Sequence, residues 1–193
     1  MWIRALFLFL MVAVPLIGGE NDLRDPPPFY SWQWCDEIQA GLLKPDGWHY
    51  MQSEINGNPV FLITEDPVEN NSQFNVGFQL TVIRDAQNLN DSKDPKKAAK
   101  EFIEGIVSIA STIHERNDLP YGSGIGGHSA IMQYTVPFGP EKEVEFVSFN
   151  LVLLNPETNT LYLVVFLSPL SKWDDSWKKG ETISQQMVLD FEY

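Results

Sequence analysis

This 193-residue sequence has three histidines, and their side chains could bind a metal ion or a small ligand. His49 and His128 could contact a small ligand or divalent cation with an acid such as Asp46, because imidazoles and carboxylates ligate such ions. His114 and the glutamate after it begin the zinc pattern H-E-x-x-H, but Asp118 stands where the second histidine is required. We therefore keep His49 and His128 as candidate contacts and predict that His114 faces solvent or caps a helix near its C-terminal end.

A glycine-rich stretch over residues 121–127 matches the pattern G-x-G-x-x-G at Gly122, Gly124 and Gly127. In a dinucleotide site this pattern leaves a strand and opens a helix, so that the helix N-terminus meets the pyrophosphate. Here the order is reversed, since a predicted helix precedes the stretch and a predicted strand follows it. We interpret the stretch as a turn and predict no cofactor.

The sequence shows no complete set of residues for nucleophilic or acid–base catalysis. Cys35 is the only cysteine, and beside Trp34 it is typical of a small buried hydrophobe. No serine lies in a G-x-S-x-G turn. The sequence thus favours a binding protein over an enzyme, with an unrecognised hydrolase as an alternative.

The charge balance points away from nucleic acid. The chain has 13 Lys+Arg against 26 Asp+Glu, a net charge of −13, without the basic patch typical of nucleic-acid binders. Its 44% hydrophobic residues are sufficient to build a folded domain.

The first residues predict export. A basic start at Arg4 precedes the apolar residues 5–17, and Gly18 and Gly19 then supply the small residues of a cleavage site. The apolar run is short for a spanning helix, which needs roughly 20 residues. We predict a signal peptide over residues 1–19 and a periplasmic or extracellular protein. The alternative is an uncleaved anchor, which would be the chain's membrane contact.

Aromatic residues concentrate after an extended linker. Residues 20–28 end in three prolines, and residues 29–35 are rich in rings, which supply large contact areas with a polar handle. Residues 20–43 are assigned to this linker and aromatic segment. The candidate interaction surface, completed by the glycine-rich stretch, consists of Tyr30, Trp32, Trp34, Trp48 and Tyr50. The alternative is that these rings only pack the segment onto the rest of the protein.

The remaining periodicities predict one α+β domain over residues 44–193. Six strands are expected, at residues 48–54, 60–64, 74–83, 130–138, 144–154 and 161–167. Two amphipathic helices should cover the sheet, one from the cap Asp94 to about Arg116 and one from Ser171, which with Asp174 resembles a capping box. A short helix is predicted at residues 36–43.

Several of these segments resemble the PsbP-like family. They are Lys44-Pro45-Asp46-Gly47-Trp48, residues 61–64, residues 75–83, and an ending with residues 161–166, Ser168-Pro169 and Trp173. The resemblance covers residues 44–192. It implies an antiparallel sheet of about six strands between helices, an α/β/α sandwich. Members of this fold include an extrinsic protein of photosystem II and a nuclear import factor that binds the GTPase Ran, so the resemblance also implies binding or assembly rather than catalysis.

The function expected from the sequence is an exported, non-catalytic binding or assembly module with a protein partner. A periplasmic protein that binds a small ligand or divalent cation, through His49 or His128, is the alternative from another class.

Overall fold

The computed structural model describes residues 23–38, 40–68, 75–89, 91, 93–121, 124–137 and 143–189. The predicted signal peptide, Phe74, Phe138 and Gly122 lie outside these residues. No helix within the described ranges is long and apolar enough to cross a membrane.

Two β-sheets and two α-helices make up the described chain. The strands are β1 (Tyr30–Cys35), β2 (Ala40–Pro45), β3 (His49–Ile55), β4 (Asn58–Thr64), β5 (Gly77–Ile83), β6 (Thr112–Leu119), β7 (Gly126–Pro137), β8 (Glu143–Asn155) and β9 (Thr160–Pro169). The helices are α1 (Pro95–Val107) and α2 (Trp173–Gln186). The large sheet has seven strands in the order β3-β4-β5-β9-β8-β7-β6, and β1 pairs with β2 in a separate hairpin. Every pairing is antiparallel.

Tight connections explain why neighbouring strands pair. Between β3 and β4, Asn56 and Gly57 have φ angles of 53° and 79°. Positive φ at both central residues defines the two-residue turn whose twist matches a hairpin, and Asn-Gly is its preferred sequence. The predicted turn at residues 56–58 is confirmed.

The large sheet is covered on both faces, so the α/β/α sandwich is confirmed. On one face α1 packs over β7 and β8, with Ala99, Ile103 and Leu154 in the core. On the other face α2 and the β1–β2 hairpin cover Phe78 and Phe166. The two cores arise because successive residues of a strand point to opposite faces.

The prediction of a helix at residues 36–43 is wrong. The chain makes a short 3-10 turn at Asp36–Ile38 and then enters β2. Ala40 and Leu42 are completely buried, and Gly41 pairs with Val188 beyond α2. Burial and strand pairing override the local helix preference, and the hairpin thereby contributes to the main core.

Helix α1 begins where the sequence predicts and ends early. The Asp94 carboxylate accepts hydrogen bonds from the backbone N–H groups of Lys96 and Lys97, at 2.9 and 3.3 Å. The predicted end near Arg116 is wrong, because α1 ends at Val107. Ser111 then donates its backbone N–H to the Gln133 carbonyl at 2.8 Å, and the chain continues as β6, a seventh strand.

Helix α2 begins close to the predicted residue but without the predicted cap. Its N-cap is Lys172, which makes no side-chain capping bond, and Ser171 lies in a 3-10 turn that precedes the helix. Gly180, in the middle of α2, faces the Phe166 ring at a distance that leaves no room for a β-carbon.

Candidate functional site

The predicted aromatic surface divides into buried rings and partly exposed ones. Trp48 is buried in the main core, with 6% of its surface exposed, and the Lys179 ammonium lies 5.0 Å from its ring centroid. Tyr50 is half-buried and its hydroxyl lies 3.1 Å from the Cys35 sulfur. These two rings pack the hairpin against the sheet.

Trp32 and Trp34 lie on β1, and a hydrogen bond from each indole N–H fixes the position of its ring. The Trp32 indole N–H donates to the Arg24 carbonyl at 2.8 Å, and its ring lies over Gly41, where a β-carbon would be 3.3 Å from Cε3. The Trp34 indole N–H donates to the Asp36 carboxylate at 2.8 Å. Both rings are half-buried, so Trp32 and Trp34 stay candidates with part of their area exposed.

Phe29 is the exposed aromatic residue that the sequence did not single out. It is 79% exposed and has a φ of 70°. Its carbonyl accepts the backbone N–H of Asp46 at 2.8 Å, and the Tyr30 N–H donates to the Pro27 carbonyl at 3.1 Å. These bonds hold the left-handed conformation, which an aromatic residue adopts only at a cost. The three prolines before Phe29 indicate an extended segment, but they do not specify which of the nearby aromatic side chains is exposed to solvent.

Burial governs the electrostatics of the Cys35–Tyr50 pair. Desolvation raises the pKa of the Cys35 thiol to about 11, with the Tyr50 hydrogen bond opposing the shift. Desolvation also raises the pKa of the Tyr50 hydroxyl, and the hydrogen bond to Cys35 adds to it. A thiol held in its neutral form is a poor nucleophile, as the sequence led us to expect of Cys35.

His49 and His128 are not brought together. His49 begins β3 at one edge of the sheet, and His128 lies on β7, five strands away in the order. At about 4.8 Å per strand, they are separated by roughly 24 Å. Each residue alone remains a candidate contact.

His128 instead makes a hydrogen bond with its cross-strand neighbour. Its Nδ1 lies 2.7 Å from the Asp118 carboxylate, and this hydrogen bond lowers the pKa of Asp118. The Tyr121 ring meets His128 edge-on at 6.4 Å, and burial raises the pKa of Tyr121. His114 is exposed, as one of the two predicted alternatives had it, but the prediction of a helix end is wrong, because His114 is on β6. Among the described residues, no three His, Cys, Asp or Glu side chains form a group that could hold a metal ion.

The end of the glycine-rich stretch serves strand packing. A β-carbon on Gly127 would overlap the Val152 carbonyl oxygen, and one on Gly126 would lie 2.7 Å from the Tyr121 Cα. Both glycines belong to β7 and let neighbouring backbone approach closely. Their role is structural, but the predicted turn is wrong at Gly126 and Gly127, because both already belong to the strand.

No family model matches the sequence, and no curated protein matches it. The structure is similar to that of the Ran-binding protein Mog1p of Saccharomyces cerevisiae, with a TM-score of 0.51, 9% identity, and coverage of 83% of this chain and 95% of that chain. Cyanobacterial PsbP from Synechocystis sp. PCC 6803 gives a TM-score of 0.47 at 10% identity, over 86% and 95% of the two chains. A chain from Bacteroides thetaiotaomicron VPI-5482 gives 0.45 at 13%, over 79% of this chain but only 46% of that one. The similarity to Mog1p confirms, for the fold, the PsbP-like resemblance seen in the sequence.

Proposed function

We propose that this protein is an exported, non-catalytic module that binds a protein partner at the end of the β1–β2 hairpin. The observation that carries the proposal is Phe29, an aromatic side chain displayed to solvent on a strained backbone. A left-handed conformation of this kind costs about 1–3 kcal/mol. Strain retained at an exposed apolar residue favours a role in contact over a role in folding.

The surroundings of Phe29 suit a protein interface. Tyr30 and Trp34 lie on the same face of β1, because they are two strand repeats apart, and both are partly exposed. Aromatic residues are enriched among the few side chains that dominate binding energy in interfaces. The Phe29 site, defined as Phe29, Tyr30 and Trp34, is therefore the proposed contact.

Support from similar proteins is limited to the fold. Mog1p carries the description of a Ran-binding protein, so the same architecture serves there in binding another protein. Fold does not fix a partner. The predicted export makes a periplasmic or extracellular protein the partner we propose.

A substitution that removes the ring and relaxes the backbone separates binding from folding. Phe29→Gly is expected to leave the melting temperature unchanged or raise it, since glycine adopts positive φ without strain. The matched control is Ile55→Ser, at the 50% exposed Ile55 in the β3–β4 hairpin. Each purified protein is used to capture partners from the exported fraction, and the captured protein is then titrated in purified form.

The proposal is supported by a purified partner that binds the wild type and Ile55→Ser but at least tenfold more weakly to Phe29→Gly. Equal binding by Phe29→Gly, or capture of nothing by any variant, contradicts it. Export has its own test: after fractionation, the mature chain should begin at Glu20 and be found outside the cytoplasm.

A further inference from the structure

The chain before β1 folds back over the β1–β2 hairpin and is fixed there. The Trp32 indole N–H donates to the Arg24 carbonyl at 2.8 Å. One residue earlier, the Leu23 side chain lies over Gly41 of β2, where a β-carbon would be 3.4 Å from the Leu23 Cδ2. Gly41 pairs with the far end of β1, so this segment runs back along β1 in the opposite direction.

A type II β-turn joins the segment to β1. The Tyr30 N–H donates to the Pro27 carbonyl at 3.1 Å, which closes a four-residue turn with Pro28 and Phe29 at its centre. Proline is favoured at the first central position of this turn, and the φ of 70° at Phe29 meets the requirement of the second. Pro28 and Phe29 therefore form the tip of the turn, and both are exposed.

The prolines hold the segment in an extended, polyproline-type conformation. Proline fixes φ near −65°, and a residue that precedes proline is displaced from the helical region, so Asp25, Pro26 and Pro27 are all extended. A polyproline II helix has three residues per turn, so its side chains lie along three edges. Pro27 is partly buried, whereas Pro26 and Pro28, on the other two edges, are exposed. Two proline edges therefore face outward.

These prolines restrict how a partner can recognise the segment. A partner strand cannot pair along it, because Pro26, Pro27 and Pro28 have no N–H groups to donate. The segment cannot dock as a helix either, because proline inside a helix breaks the backbone bonding. The remaining common mode of peptide recognition is a groove lined by aromatic side chains, into which a preformed polyproline helix docks.

The fold prepares the segment for this mode of binding. The bond from Trp32 to Arg24 and the turn that ends at Tyr30 fix both ends of the proline run before any partner arrives. Side chains and backbone that are already ordered lose less conformational freedom on binding, which increases affinity. A free peptide of the same sequence has no hairpin to hold it and should bind more weakly.

We propose that Pro26, Pro28 and Phe29, here called the proline ridge, dock into a groove lined by aromatic side chains on the partner protein. The two proline rings pack between aromatic rings of the groove, and Phe29 packs at its end. The inference rests on the proposed function, because it names the chemistry of the partner that binds at the Phe29 site.

The test uses two yeast-displayed libraries built on an SH3 domain, a small domain that binds proline-rich segments. In the first library the aromatic residues of the groove are kept and the surrounding loops are varied. In the second the loops are varied in the same way, but the groove aromatics are replaced by serine. The purified protein is the bait, and the combined variant Pro26→Ala, Pro28→Ala is used for counter-selection. Selected domains are purified and titrated by fluorescence anisotropy.

We expect binders from the first library and none from the second. Their affinity should fall at least tenfold in the combined variant Pro26→Ala, Pro28→Ala. The matched control is Pro67→Ala, at an exposed proline after β4, which should bind as the wild type does. A synthetic peptide of residues 23–30 should bind at least tenfold more weakly than the protein, because it is not held by the hairpin.

Folding is checked by circular dichroism. The combined variant should melt close to the wild type, because both proline side chains are exposed. If it unfolds, Pro26→Ala alone takes its place, since Pro26 lies outside the turn. Absence of binders, equal yields from the two libraries, or binding that the combined variant retains overturns the proposal. So does a dimer in light scattering that the combined variant abolishes, because the ridge would then bind a second copy of the chain.

Titration of the partner captured in the earlier experiment separates this inference from the proposed function. If Phe29→Gly weakens that partner at least tenfold and the combined variant Pro26→Ala, Pro28→Ala does not, the proposed function stands and the proline ridge is wrong. If both variants weaken it, both proposals are supported. If neither variant weakens it, both fail.

Discussion

The two faces of the large sheet are built in different ways. On the face under α2, rings from the sheet and the helix interlock, with Trp173 stacked on Trp177 at 5.1 Å and Phe166 tilted against both. On the face under α1, aliphatic residues such as Ala99, Ile103 and Leu154 make the contact without aromatic stacking, and Ile109 is left exposed. The α2 face has the dense packing of a core, whereas the α1 face has a core beside an open apolar groove, bordered by Leu89, Phe102, Gly105 and Ile109.

The glycines inside the two helices differ in the same way as the two faces. Gly180 and Gly105 both lie inside helices, but the Phe166 ring occupies the space beside Gly180, whereas no described residue lies within 4 Å of a β-carbon placed on Gly105. The first glycine is required by packing within the chain. Packing within the described part of the chain does not require the second.

The strongest test of the contrast is removal of one ring from each face. Phe166→Ala should destabilise the protein by about 3–5 kcal/mol, since a completely buried aromatic ring leaves a cavity. Phe102→Ala should cost about 1 kcal/mol or less, because this side chain is only partly buried. Urea unfolding of the two variants measures the difference, and equal losses would show that the α1 face is packed as tightly as the other.

Alanine at the two helix glycines should give changes of opposite sign. Gly180→Ala places a β-carbon 2.6 Å from the Phe166 ring and is expected to cost about 2–3 kcal/mol through overpacking. Gly105→Ala should stabilise the protein by about 0.5–1 kcal/mol, because alanine is the better helix former and has room there. Thermal unfolding checks both signs, and destabilisation by Gly105→Ala would contradict the open groove.

The sequence predicted those elements whose signals are local. Asp94 and Pro95 mark the start of α1, and Asn56-Gly57 marks a hairpin, because capping and turn chemistry depend on a few adjacent residues. The end of α1 was missed, because the apolar residues Ala110 and Ile113 continue the helical spacing while a bond from Ser111 to distant Gln133 begins a strand.

The candidate site was less predictable for the same reason. Trp48 and Trp34 are alike in sequence, and only the packed fold shows that one is buried and the other partly exposed. The separation of His49 from His128 follows from strand order, which no short pattern contains. The positive φ of Phe29 depends on the hydrogen bond that its carbonyl accepts from the backbone N–H of Asp46, which lies in the turn after β2.

The α2 face should also be the one that protects a thiol. Because the folded pKa of Cys35 is raised to about 11 from 9.0, its contribution to stability is complete below pH 9 and is lost as the pH rises from there towards 11. Two pKa units correspond to about 3 kcal/mol. Urea unfolding at pH 8, 9 and 10 should show a steeper loss for the wild type than for Cys35→Ala.

Ellman's reagent at pH 8 gives a comparison between the faces. Native Cys35 should react slowly, whereas Ile109→Cys in a Cys35→Ala background should react rapidly. Rapid reaction of Cys35 would show that the hairpin opens easily and that the α2 face is not the more tightly closed of the two.

The smallest expected effect concerns the N-cap of α1, Asp94. Asp94→Ala removes the carboxylate that accepts the N–H groups of Lys96 and Lys97. The expected loss is about 1 kcal/mol, typical of an N-cap aspartate. Asp94→Asn should recover most of it, because an amide oxygen accepts the same bonds, while removing the one negative charge among Lys93, Lys96, Lys97 and Lys100. Thermal unfolding measures the stability of both variants. A loss in Asp94→Asn as large as that in Asp94→Ala would mean that the negative charge of Asp94 at the helix N-terminus, and not its hydrogen bonds, stabilises α1.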